Sequence, residues 1–104
     1  MAIKNILNNG FSEKSLKMTL VHESESFKIV NFNFKEGQSL PVHSHDIDGE
    51  ASITILEGEG KFLGADGVEI PGKKGDMLIT QIREPHGIRA DTEMKVLVVI
   101  APPI

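Results

Sequence analysis

The chain has no cysteine, no tryptophan and no tyrosine, and phenylalanine is its only benzenoid aromatic residue. The absence of cysteine excludes a disulfide framework and any thiolate metal site. It also fits a reducing compartment, so we expect a cytoplasmic protein. The first residues lack the charged stretch and the following apolar run that are typical of a signal peptide.

Long hydrophobic runs and clusters of basic residues are missing as well. The longest apolar run, Val96 to Ala101, has six residues, whereas a membrane helix needs roughly 20. The net charge is -4 and no basic run is present, which argues against nucleic acid as a partner. We therefore expect neither a membrane nor a nucleic acid among the partners.

Ten glycines and five prolines lie between short apolar segments. Such segments at short, regular spacing predict an all-β sandwich or barrel, and 104 residues predict one domain over positions 1–104. In the N-terminal region, Ile3, Ile6 and Leu7 allow either a short helix or an extended arm. The predicted extended segments are 15–23, 27–34, 41–42, 51–56, 61–63, 68–70, 76–80, 86–89 and 94–100.

Two histidines one residue apart form the most distinctive pattern, in the stretch Gly37 to Gly60. Because side chains alternate along a strand, His43 and His45 are expected on one face, with Ser44 on the other. Glu50 follows shortly after. Mixed nitrogen and oxygen ligands suit Fe(II), Mn(II), Ni(II), Co(II), Cu(II) or Zn(II), and the sequence does not choose among them.

This stretch resembles the first motif of the cupin family, roughly G-x5-H-x-H-x3or4-E-x6-G. Gly37, His43, His45 and Glu50 match that motif in order. Two motifs in the right order identify the family more specifically than a lone pair of histidines does. The resemblance therefore depends on the second motif as well.

The second cupin motif, roughly G-x5-P-x-G-x2-H-x3-N, is matched less completely. Gly75 and His86 stand at the right distance from one another. Gln81, Arg83 and Ala90 replace the proline, the glycine and the asparagine of the motif. These replacements affect the loop and leave the histidine in register.

The resemblance covers about half of the chain, residues 37–90, and implies a double-stranded β-helix (jelly-roll) cupin barrel with a metal on His43, His45, Glu50 and His86. It implies a metal-dependent oxygenase or isomerase acting on a small molecule inside the barrel. The alternatives are a non-catalytic small-molecule-binding or sensing protein, and a structural barrel with a vestigial metal site. A homodimer is the family-typical expectation.

The direction of Glu50 is the open question in this ligand set. Seven residues separate Glu50 from Gly58, where the family motif has six, so counting back from Gly58 gives Ala51 as the usual ligand position. Simple alternation points Ala51 inward and Glu50 away, unless a β-bulge at Gly49 and Glu50 redirects the carboxylate. If Glu50 is not a ligand, it is a candidate general base.

Other charged residues near the motifs have plainer interpretations. Asp46 and Asp48 are expected to be solvated, although either is a candidate ligand if Glu50 is not. Arg83 and Arg89 are expected to be solvated charges rather than contacts to an anionic ligand at the mouth of the barrel.

Two further expectations concern apolar segments. Ile53, Ile55, Met77 and Ile79 are predicted to point inward, as core or as the lining of a small apolar pocket. The C-terminal segment 94–104 is a candidate edge that pairs with a second copy, because an exposed edge strand invites pairing.

Overall fold

The computed structural model describes all 104 residues and contains nine strands and no α-helix. The prediction of an all-β fold is therefore confirmed. No helix is long and apolar enough to cross a membrane. The strands are β1 (Lys17–Glu23), β2 (Lys28–Phe34), β3 (Ser39–His43), β4 (Glu50–Glu57), β5 (Glu59–Leu63), β6 (Glu69–Lys73), β7 (Met77–Gln81), β8 (His86–Ala90) and β9 (Met94–Ala101).

The strands form two sheets with antiparallel pairing throughout. The five-stranded sheet has the order β1-β2-β9-β4-β7, and the four-stranded sheet has the order β3-β8-β5-β6. This arrangement confirms the jelly-roll prediction. The last strand, β9, hydrogen-bonds to β2 on one side and to β4 on the other. It is therefore a central strand, and the idea that segment 94–104 is a free edge was wrong.

The core lies between the inner faces of the two sheets. Alternate residues of β2, β4 and β9 point into it, because the strand period of two separates an inner face from an outer face. The most completely buried apolar side chains include Phe34, Ile53, Ile55, Ile88, Met94 and Val96.

The side chains of β7 that point into the core are not the predicted ones. Ile53 pairs with Leu78, and Ala51 pairs with Thr80, so Leu78 and Thr80 share the inner face. Met77 and Ile79 consequently lie on the outer face, where they are 56% and 66% exposed. The prediction that these two residues point inward was wrong, because an apolar residue on an edge strand does not by itself fix which face it occupies.

The N-terminal residues form an extended arm rather than a helix. The arm lies on the outer face of the five-stranded sheet, where the Asn33 amide donates to the backbone oxygens of Asn9 and Gly10. Asn9 in turn donates to Asn31. Both β2 asparagines are fully buried, which explains how polar side chains are accommodated on this strand.

Candidate functional site

His43 and His86 are direct partners across two neighbouring strands. His43 ends β3 and His86 begins β8, and the two residues are paired in the antiparallel register. Side chains of directly opposed residues lie close together, and here the ring centroids are 4.6 Å apart. The fold therefore joins two histidines that are 43 positions apart in the sequence.

Each of these two rings is oriented by a backbone carbonyl. Nδ1 of His43 lies 2.9 Å from the oxygen of Pro41, and Nδ1 of His86 lies 2.5 Å from the oxygen of Glu84. A carbonyl oxygen only accepts, so Nδ1 is the protonated donor in both rings. In the neutral ring this leaves the Nε2 lone pair available as an acceptor or a metal ligand.

Burial lowers the pKa of His86 below its ordinary value, because the charged imidazolium loses hydration. The carbonyl of Glu84 acts in the opposite direction, and the nearby His43 and His45 lower the pKa further. The net effect favours the neutral ring, which is the form that binds metals.

His45 lies beyond the end of β3, beside the pair. Its ring centroid is 5.7 Å from that of His43, and its side chain is exposed. Its backbone N–H donates to the oxygen of Ile82 at 3.2 Å, which ties this segment to the loop before β8. The structure thus gathers the three predicted histidines at one place. No group of three or more histidine, aspartate or glutamate side chains is spaced to hold a metal ion.

Glu50 is not brought to the histidines. The β4–β7 register runs without a break from Glu50 opposite Gln81 to Ala51 opposite Thr80, so the bulge that would redirect the carboxylate is absent. Glu50 is exposed, whereas Ala51 is buried. The carboxylate lines a separate, open depression on the outer side, together with Gln81.

The remaining charged candidates are engaged on the surface. Arg83 lies 3.4 Å from Asp46 and 3.0 Å from Asp48. Arg89 forms a two-pronged ion pair with Glu69, at 2.8 and 3.0 Å. Surface pairs of this kind contribute little to stability, and neither arginine lines the cavity beside the histidines.

That cavity has a volume of about 80 Å³ and is mostly apolar. His43 and His86 are its only polar lining residues, so one part of its wall carries nitrogen acceptors and the rest is hydrocarbon. Its size suits a few heavy atoms rather than a large ligand. The apolar lining residues are Phe32, Leu40, Ala51, Ile53, Ile82, Val98, Ile100 and Ile104.

Ile82 and Ile104 are among the lining residues that were not predicted from the sequence. Ile82 lies in the predicted loop before His86, yet it is 1% exposed; its isolation among polar neighbours was an available signal of burial. Ile104 lines the cavity from the C-terminal tail, and its backbone oxygen accepts a hydrogen bond from Lys28 at 3.0 Å. No sequence pattern predicts this placement.

The donor chemistry fits a divalent transition metal in part. Two imidazoles present Nε2 lone pairs while their Nδ1 atoms are fixed by carbonyls, as in metal sites whose histidines are oriented by backbone acceptors. A third imidazole lies beside them. The predicted carboxylate is missing from this set, so the chain offers a nitrogen-only group of ligands here.

Comparisons with known proteins agree with this fold. The family model described as Cupin domain matches residues 30–100. An RmlC-like cupin protein from Desulfovibrio desulfuricans is 55% identical, with a TM-score of 0.96 over 100% of this chain and 99% of that chain.

More distant structures share the architecture. The protein TT1209 from Thermus thermophilus is 24% identical, with a TM-score of 0.90 over 100% of both chains. Ectoine synthase from P. lautus is 20% identical, with a TM-score of 0.77 over 100% of this chain and 80% of that chain. No curated protein matches the chain. The family match covers well over half of the chain and the fold agrees with it, so this protein belongs to the cupin family.

Proposed function

We propose that this cupin binds one divalent transition metal ion through Nε2 of His43 and His86, with His45 as the third ligand. The observation that carries the proposal is the pair of Nδ1-to-carbonyl hydrogen bonds. These bonds leave the Nε2 lone pairs of two neighbouring rings free at the polar part of an apolar cavity. Histidines that were merely solvated would not need both rings to be oriented in this way.

In the proposed site, a side-chain rotation brings His45 to the other two rings. Its side chain is exposed, and exposed side chains change rotamer on a picosecond to nanosecond timescale. The backbone hydrogen bond from His45 to Ile82 keeps the residue close to the pair during such a rotation. Glu50 has no part in this ligand set, because it lies on the opposite face of β4.

The cavity beside the histidines is the proposed place for a small, largely apolar ligand or substrate. A bound ion would supply Lewis-acid or redox chemistry at that position. The chain's own contribution is to orient the two rings, to keep His86 neutral, and to exclude water with side chains such as Ile53 and Ile82. Metal-dependent oxygenase or isomerase activity is the function that this arrangement supports best.

A non-catalytic small-molecule-binding protein is the second candidate, and one observation favours it. No carboxylate lines the cavity, so the histidines are the only lining side chains able to accept a proton there. An enzyme that needs a separate general base would lack one in this arrangement.

Metal analysis of tag-free protein tests the proposal. We expect close to one equivalent of a transition metal, or its uptake on addition. His43→Ala and His86→Ala should each lower metal affinity at least about tenfold, since loss of a ligand is more severe than loss of its hydrogen-bonded support. Glu50→Ala is the matched control and should bind as the unmodified protein does. Absence of metal and of uptake, or a weakened Glu50→Ala variant with unaffected histidine variants, would refute this ligand set.

Activity assays then separate the two candidates. Metal-loaded protein would be tested for oxygen uptake and product formation with small catechols, thiols, diketones and sugars. Turnover that disappears in His86→Ala supports the enzyme. Saturable ligand binding without turnover across the panel supports the binding protein instead.

A further inference from the structure

A second cavity also reaches His86, at the place where the two sheets part. β6 is an edge strand of the four-stranded sheet, and β7 is an edge strand of the five-stranded sheet. No backbone pairing joins these two edges, and a groove lies between them. The groove has a volume of about 120 Å³, against about 80 Å³ for the cavity beside the histidines, and His86 is the one residue that lines both.

The walls of the groove are mostly hydrocarbon. Phe62 of β5 and Ile70 of β6 are paired in the antiparallel register, so their side chains point to the same side of the sheet. Phe62 is buried, whereas Ile70 is 53% exposed, because no strand lies beyond the edge of β6. Leu78, from the inner face of β7, contributes to the opposite wall. The apolar interior is therefore accessible from solvent at this groove.

The polar side chains of the groove are Thr80, Glu84 and His86. Thr80 and His86 are only 8% and 7% exposed, so the polar part of the groove includes buried groups as well as a surface charge. The Thr80 hydroxyl lies 3.1 Å from the backbone oxygen of Gln81 and 3.4 Å from Oε2 of Glu84. Its single hydrogen serves the nearer oxygen, that of Gln81. The hydroxyl oxygen and the carboxylate are then two neighbouring acceptors without a shared donor.

Glu84 is the acidic residue of the groove, and its charge is not neutralised within the chain. Glu84 forms no ion pair. The preceding residue, Arg83, is instead paired with Asp46 and Asp48. No lysine or arginine lines the groove. A carboxylate beside hydrocarbon attracts a cation more strongly than one surrounded by water, because the local dielectric constant is lower.

We propose that this groove binds a small organic cation, namely a primary ammonium group on a compact apolar body. An ammonium group has three N–H donors and no acceptor, so it can donate to the Glu84 carboxylate and to the Thr80 hydroxyl oxygen at once. The apolar body then lies against Phe62, Ile70 and Leu78, as in other sites that combine apolar walls with a few polar groups. A small anion would be repelled by Glu84. The binding requires no metal on the histidines.

An NMR titration tests the ligand class, with benzylammonium as the probe and a chelator present so that no metal binds the amine. We expect saturable shifts of the backbone amides of Ile70, Leu78 and Thr80. Benzyl alcohol, which has the same ring and no charge, should bind at least about tenfold more weakly, and benzoate should not bind. Absence of saturable shifts, equal affinities for the amine and the alcohol, or shifts centred on Ala51 and Val98 of the other cavity would each overturn the proposal. Because the chelator removes metal, none of these results bears on the proposed metal site.

Two variants test the named residues. Glu84→Gln keeps the shape of the side chain and removes its charge, so the affinity for benzylammonium should fall at least about tenfold, while benzyl alcohol binds as before. Ile70→Trp should fill the groove and abolish binding of the amine. Leu20→Trp is the matched control, since Leu20 is also 53% exposed on an edge strand, β1, and it should bind the amine normally. Circular dichroism should show the fold retained in all three variants. Unreduced amine affinity in Glu84→Gln or in Ile70→Trp would contradict the assignment.

Discussion

Ala51 lies among the residues that line the cavity beside His43 and His86, so its side chain faces the proposed metal site. Its neighbour Glu50 carries the carboxylate, but the strand period of two points that group to the outer face. The buried methyl group of Ala51 thus lies where a carboxylate would add an oxygen ligand to the proposed metal site.

Ala51→Glu should therefore strengthen metal binding. The new carboxylate would share the cavity with two imidazoles, and we expect the affinity for a divalent transition metal to rise about tenfold or more. Without metal the variant should be less stable than the unmodified protein, because it buries an unpaired charge. Calorimetric titration and urea unfolding, with and without metal, measure both effects.

Ser52→Glu is the control for that experiment, since Ser52 lies next in the strand on the outer face. It should leave metal affinity unchanged. Equal affinities for the two glutamate variants would show that position 51 does not face the metal.

The lowered pKa of His86 predicts how stability depends on pH in metal-free protein. The unfolded chain takes up a proton near the ordinary histidine value of about 6.5, while the folded ring resists it until a lower pH. Below about pH 6.5 the unfolded state therefore binds more protons, and stability falls as the pH drops toward the folded pKa. Above that range His86 contributes no pH dependence, because the ring is neutral in both states.

His86→Gln should remove this part of the pH dependence. Urea midpoints at about pH 7.5 and about pH 5.5 should differ less in His86→Gln than in the unmodified protein. His22→Gln, which changes a half-buried histidine outside the cavity, is the comparison variant. Identical differences in all three proteins would show that His86 does not carry the effect.

At the scale of elements, two turns that contain glycine require that residue for different reasons. Gly58, between β4 and β5, has φ +87°, and an added Cβ would meet the backbone of Glu93 and Met94. Gly75, before β7, has φ +93° with open space around it. Both positions favour glycine for conformation, but only Gly58 also needs it for close approach.

Gly75→Ala should destabilise the protein by about 1–2 kcal/mol, the usual penalty for a left-handed residue with a Cβ. Gly58→Ala should lose at least about 2 kcal/mol more, because backbone atoms must move apart. Urea unfolding of both variants gives the comparison. Equal losses would mean that the β4–β5 turn adjusts freely to the added methyl group.

The presence of each strand was easier to predict than the direction in which its side chains point. Every predicted strand segment exists, since apolar periodicity and glycine turns are local signals. The predicted segment 68–70 was too short, because β6 runs through Pro71 to Lys73. Proline is tolerated there because β6 is an edge strand that pairs only with β5.

At the scale of the whole molecule, the arm is attached to the sheet by buried amides. The side chain of Asn33 donates to two arm carbonyls, at 2.7 and 3.0 Å. It is fully buried, so its loss leaves both oxygens without that partner. The outer face therefore depends on a contact between the first ten residues and the second strand.

Asn33→Ala should destabilise the protein by about 1–3 kcal/mol and release the arm. Hydrogen exchange and limited proteolysis within residues 4–10 should accelerate in the variant. Asn5→Ala, which removes only a local hydrogen bond to Leu7, should leave both rates nearly unchanged. Equal protection of the arm in all three proteins would show that other contacts hold it.

The sequence by itself determined the fold class, the strand segments and the three histidines, because each follows from local periodicity or from the spacing of a motif. It also raised the doubt about Glu50 by a count of residues. Only the tertiary structure decided the direction of Glu50, the face that each side chain of β7 occupies, the central position of β9 and the course of the arm. These depend on register and on pairing between distant segments, which shift whole strands from one face to the other and leave no local trace in the chain.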